Sequence, residues 1–217
     1  SALASVTIPS GVTSIESGAF AYCTSLASAT IPLGITSIES GVFGECTSLT
    51  SVAIPSGVTS IESGAFYGCI SLTSIIIPSS VTVLDDYAFY GCTSLANIDV
   101  DPANTVFKSI DGIVYSKDGR TLILCPQGKA GEVSLSDSVT NVNLWAFEGC
   151  VLVTAINADA GNPIYKSIDG VLYSKNGVEL VICPQGKAGA LNIAPGVMYL
   201  EGLNDCTSLT SVTIPDS

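Results

Sequence analysis

The sequence contains no histidine, only seven lysines and arginines, and a single tryptophan among 217 residues. Without histidine the commonest general base, and the usual partner of a serine or cysteine nucleophile, is missing, so an enzyme on this chain would have to work with carboxylates. Nineteen aspartates and glutamates against those seven cations give a net charge of -12, which repels a phosphate backbone and argues against nucleic acid as a partner. The mean hydropathy is +0.53, but no apolar run approaches the roughly 18 to 20 residues of a spanning helix. Ile75–Ile77 and Leu122–Cys125 are among the longest aliphatic stretches. No CxxC pair and no glycine-rich phosphate loop is present, so neither a metal nor a cofactor is expected.

What the chain does contain is repetition. Leu3, Val6, Ile8, Pro9, Val12, Ile15, Phe20 and Cys23 recur as Leu26, Ala29, Ile31, Pro32, Ile35, Ile38, Phe43 and Cys46, and twice more through Phe66 and Cys69 to Phe89 and Cys92, at a period of 23 residues. That period lies in the range of leucine-rich repeats, in which each unit is one turn of a coil that buries its apolar residues only between neighbours. The alternation Val6-Thr7-Ile8 predicts a short strand ended by Pro9, and identical units stack such strands in parallel. The segment Ser17-Gly18-Ala19-Phe20 predicts a one-turn helical or 3₁₀ return anchored by its Phe. The expected fold is a mostly β, right-handed leucine-rich-repeat solenoid over 1–217, a single domain.

Two segments, at about 104–131 and 162–189, break the period in matching fashion and share Lys-Ser-Ile-Asp-Gly, Tyr-Ser-Lys and Cys-Pro-Gln-Gly-Lys-Ala-Gly at an offset of 58. Asp111-Gly112, Asp118-Gly119, Asp169-Gly170 and Asn176-Gly177 each sit between apolar runs, a strong hairpin signal. Each insertion therefore reads as a three-stranded meander replacing the return of one coil. A later unit, holding Val197, Leu200, Leu203 and Cys206, is two residues short, with Leu203 in the place of Phe, so the coil tightens there. No charged and apolar leader opens the chain and both ends fall within a repeat, which predicts a piece of a longer protein. Its open coil edges favour end-to-end self-association.

The eight cysteines include one per regular repeat at constant phase. Stacked reduced thiols, disulfides between neighbouring coils, and metal ligation are the three readings, the last without the usual ligand spacing. Asp85-Asp86 and Asp99-Val100-Asp101 are candidates for paired-acid or calcium chemistry, or simply turn residues. The column Glu16, Glu39, Glu62, Asp85, continued by Asn143 and Glu201, must stay hydrated or attract cations.

Two surfaces are candidates for partner binding. On the concave strand face, Ser51, Ala53, Ser74 and Ile76 lie at the centre of a lawn of small residues. In the meanders lie all the basic residues: Lys108, Lys117, Arg120 and Lys129 in the first, Lys166, Lys175 and Lys187 in the second. With Tyr115 and Tyr173 beside them, these ridges offer contacts to an acidic partner, or merely guard hairpin edges.

The unit Leu-x-x-Val-x-Ile-Pro-x-x-Val-x-x-Ile-x-x-x-Ala-Phe-x-x-Cys resembles the BspA-like, or treponemal-type, leucine-rich repeat over essentially the whole chain. Cys125 and Cys183 depart from the meander pattern of such proteins, where a larger residue is usual. The resemblance implies a secreted or surface-displayed bacterial protein that binds protein or glycan on host matrix or cells, without direct membrane insertion. The alternatives are an architectural spacer or stalk and, remotely, a carbohydrate-active enzyme.

Overall fold

The computed structural model describes residues 2–143 and 145–215. A first strand recurs in nine successive coils: β1 (Ser5–Thr7), β2 (Ser28–Thr30), β4 (Ser51–Ala53), β6 (Ser74–Ile77), β8 (Asn97–Val100), β12 (Gly131–Leu135), β14 (Val153–Ala158), β18 (Gly189–Asn192) and β20 (Leu209–Thr213). A shorter second strand follows in several coils: β3 (Ser37–Ile38), β5 (Ser60–Ile61), β7 (Val83–Leu84), β13 (Asn141–Val142) and β19 (Tyr199–Leu200). Pairing is parallel and in the register of the repeat, with Ser5 beside Ser28 and Ser28 beside Ser51. The period-2 pattern decides the facing: Ala29, Val52, Ile75 and Ile98 are buried, while Ser28, Thr30, Ser51 and Ala53 are exposed. Opposite the strands, Phe20, Phe43, Phe66 and Phe89 stack at 5.4 to 5.6 Å between ring centroids.

The returns are not helical: among the described residues there is no α or 3₁₀ helix. The reason lies in the amides. Ala19, Ala21 and Cys23 close turns onto Glu16, Gly18 and Phe20, but the intervening Gly18, Phe20 and Tyr22 donate to Ser40, Val42 and Gly44 of the next coil. A helix would spend all these donors within its own segment; here half of them hold the stack together. Left-handed residues at Gly18 and Tyr22, repeated at Gly64 and Gly68, bend the return between those bonds.

The insertions are three-stranded antiparallel meanders, β9 (Phe107–Ile110), β10 (Ile113–Ser116) and β11 (Thr121–Leu124), then β15 (Tyr165–Ile168), β16 (Val171–Ser174) and β17 (Glu179–Ile182). Asp111 and Gly112 (φ +52° and +74°) and Asp169 and Gly170 (+50° and +72°) have the paired positive φ of a two-residue I′ turn. The meander does not replace the return. Its third strand supplies the coil's second strand, β11 pairing with β13 and β17 with β19. Its hairpin tip meets the previous first strand, Ile98 N donating to Gly112 O and Ile156 N to Gly170 O. The first-strand column is therefore interrupted at each meander, after β8 and after β14, and its ladder is also broken between β4 and β6.

Each middle strand is buried on both faces. Val114 packs into the core of the preceding coils while Ile113 and Tyr115 pack into the following one, and Leu172 is divided from Val171 and Tyr173 in the same way. A buried asparagine anchors each insertion. Asn104 Nδ2 donates to Pro78 O and Val81 O of the previous coil, and its Oδ1 accepts from Val106 N and Phe107 N, all at 2.8 to 2.9 Å. Asn162 repeats this with Ser136, Val139, Ile164 and Tyr165.

Candidate interaction surfaces

On the outer face of the first strands, Ser28, Thr30, Ser51, Ala53 and Ser74 are exposed, and Ile76 is 64% exposed. Register places Ser28 and Ser51 side by side, as it does Thr30 and Ala53. Farther along, Ile76 lies beside Asp99 and Ser74 beside Asn97. The four strand-face candidates thus lie on two neighbouring strands, Ser51 and Ala53 at the edge of the ladder β1-β2-β4 and Ser74 and Ile76 at the edge of the ladder β6-β8.

The meander candidates are not. Tyr115 and Tyr173, 2% and 0% exposed, belong to the core, because the strands that carry them have no solvent side. Burial pushes the Tyr115 hydroxyl up to about 12. The exposed Lys117 and Lys175 turn their Nζ onto Pro102 O (3.0 Å) and Ala160 O (2.9 Å) of their own coils. Lys129 and Lys187 clasp the hairpin tips, each binding the side chain and the carbonyl of Asp111 or Asp169. Lys108 and Lys166 lie over Gly119 and Gly177, where a side chain would collide with their ammonium groups. Arg120 is exposed, and with Lys108 it adds to the hydrogen bonds from Ser116 and the Arg120 amide that hold the Asp118 carboxyl below its ordinary value.

The carboxylates considered for catalysis or calcium serve turns and neighbours. Asp85 Oδ1 accepts from Tyr87 N and Asp101 Oδ1 from Ala103 N, while Asp86 and Asp99 accept from Asn143 and Asn97 side chains. All eight cysteines are free thiols, six of them buried. Cys46, Cys69 and Cys92 donate to the carbonyls of Phe20, Phe43 and Phe66, each at 3.1 Å. Cys125 and Cys183 extend this pattern, their carbonyls accepting from Cys150 Sγ (3.4 Å) and Cys206 Sγ (3.6 Å).

Residues 1–111 match the family described as BspA type leucine rich repeat region (6 copies). The chain belongs to this family. No curated protein matches it in sequence. Among solved structures, this BspA-type chain is similar to a leucine-rich repeat protein from Eubacterium ventriosum (TM-score 0.57, 19% identity, 98% of this chain and 73% of that one). It is also similar to a leucine rich cell surface protein from Faecalibacterium prausnitzii (TM-score 0.61, 24% identity, 92% and 62%). A third is the pneumococcal vaccine antigen PcpA (TM-score 0.53, 20% identity, 94% and 52%). The chain thus spans less than two thirds of the last two. At these identities the likeness is one of fold, and no enzyme family is indicated.

Proposed function

We propose that this BspA-type chain is a non-enzymatic binding module of a secreted or cell-surface bacterial protein, engaging a protein partner across the first-strand face of its early coils. The observation that carries the reading is the row of exposed side chains, mostly small, on the neighbouring strands β4 and β6, Ser51, Ala53, Ser74 and Ile76, each strand in register with the next coil on its other side. Short side chains lose little rotamer freedom when covered, so such a face takes a partner at low entropic cost, and the exposed Ile76 supplies an apolar anchor. The partner is expected on host matrix or on other cells, and two similar folds carry names that speak of a cell surface protein and a vaccine antigen. Among the described residues no helix is long and apolar enough to cross a membrane.

The basic residues are framework in this reading, because four of their ammonium groups are already spent on oxygens of the meanders and of the segments that lead into them. The competing reading is a spacer without a ligand. Saturable binding of the isolated chain to immobilised matrix proteins or intact cells supports the module; absence of binding to either supports the spacer.

A further inference from the structure

Both meanders end in Cys-Pro-Gln-Gly-Lys, but their glutamines differ. Gln127 is satisfied: its Oε1 accepts from Gly91 N and its Nε2 donates to Glu148 O, both at 2.9 Å, beside a cavity of only about 20 Å³. Gln185 is equally buried, at 7% exposure, yet its Oε1 has no hydrogen-bond partner among the described residues. It lines a cavity of about 350 Å³ together with Trp145, Glu148, Glu201 and Asn204.

The return that follows the second meander is also shorter. Residues 143–150 lead to the cysteine after the first meander, but 201–206 must do so after the second, two residues fewer. Gly202 O accepts from Cys183 N at 2.8 Å as Ala146 O does from Cys125 N, and a side chain at Gly202 would collide with Val181 O. The hollow beside the indole is lined by residues of this short return, Glu201, Gly202 and Asn204.

The chemistry of this hollow is one-sided. Gln185 Oε1 and the carboxylates of Glu148 and Glu201 are acceptors, and Asn204 Nδ2 is committed to Glu148 Oε2 at 3.3 Å. No lysine or arginine lines the cavity. Trp145, 51% exposed, presents the only indole of the chain, and the aromatic surface continues to Tyr87, 6.3 Å from it between ring centroids, and from Tyr87 to Tyr90 at 5.8 Å. A buried, unpaired carbonyl calls for a donor, and two carboxylates without a cation beside them call for one.

We propose that this cavity receives a basic side chain of a polypeptide partner, with arginine preferred over lysine. Guanidinium carries five donors and no acceptor, matches carboxylates in its plane and stacks on an indole. A neutral sugar would leave both carboxylates uncompensated and find little to donate to its own oxygens. The proposal rests on the reading of the chain as a protein-binding module but concerns a different face, and its test needs no natural partner.

Because Trp145 is the only tryptophan, its fluorescence reports on the cavity directly. The folded chain is titrated with a glycine-flanked tetra-arginine peptide, its citrulline counterpart, and a neutral oligosaccharide such as chitotetraose. The expected result is saturable change with the arginine peptide alone, weakened by salt and by about tenfold or more in Glu148→Gln/Glu201→Gln. Gln185→Leu should weaken binding while leaving the melting temperature unchanged or higher, which a merely structural glutamine would not do. An equal response to the citrulline peptide, saturation by the sugar instead, or no saturable change with the arginine peptide overturns the proposal.

Discussion

A thiol packed against a carbonyl in a dry column is a poor nucleophile, and the cysteines here are held that way. Burial, with Cys69 beside it, pushes the Cys46 thiol from an ordinary value of 9.0 up to about 12. Cys69 is raised as well, by the neighbouring Cys92 thiol and by burial. Since the folded value of Cys46 lies above the unfolded one, its contribution to stability is complete below pH 9 and is lost as the pH rises from 9 towards 12. Thermal melts between pH 7 and 11 should therefore show a fall above pH 9 that is shallower in Cys46→Ala. Equal slopes would show that the thiol ionises no harder in the fold than outside it. Native-state alkylation followed by mass spectrometry should leave Cys46, Cys69 and Cys92 unlabelled; a Cys23–Cys46 disulfide in unreduced protein would contradict this arrangement. The constant phase of these residues in the sequence already marked them as core, because residues at one phase of a stacked coil share one environment. Tyr115 and Tyr173 had no such column to mark them, and their burial depends on the strand between two cores.

At the scale of elements, the Asp-Gly hairpins were legible because the I′ turn is a local demand on two residues. The returns were not, since a segment such as Ser17-Gly18-Ala19-Phe20 has the same local options in a helix and in a string of turns. Its alternate amides are claimed by the neighbouring coil, which no single unit reveals. Asn104 and Asn162 were likewise visible only as matching positions ahead of each meander; their role needs the previous coil's carbonyls. Replacing Asn104 by Leu strands two amides and two carbonyls in the core, and should cost about 3 to 5 kcal/mol at unchanged architecture. Chemical denaturation checks this, and a loss below about 1 kcal/mol would mean that water or a shifted backbone takes over those bonds. Gln185 was beyond reach of the sequence for a related reason: it shares its motif with Gln127, and what separates them is the amide of another coil, Gly91 N, that Gln127 Oε1 accepts from and Gln185 Oε1 has no counterpart for.

At the scale of the whole molecule, charge and shape are divided between faces. The meanders carry every cation but spend most of them on holding hairpins to coils, while the coils carry 15 acids and no base. What remains for recognition is the row of small residues on the first-strand face and the acidic aromatic surface of the returns. The measurement that tests the central claim most directly is affinity for a matrix or cell-surface target in two folded variants compared with the parent chain. One carries Ser51→Lys, Ala53→Lys, Ser74→Lys and Ile76→Lys; the other carries Lys108→Glu, Lys117→Glu, Lys166→Glu and Lys175→Glu. The account predicts a loss of about tenfold or more in the strand-face variant and a change within about twofold in the meander variant. Undiminished binding with the strand face charged, together with loss when the meander lysines are reversed, would contradict it and move recognition to the ridges.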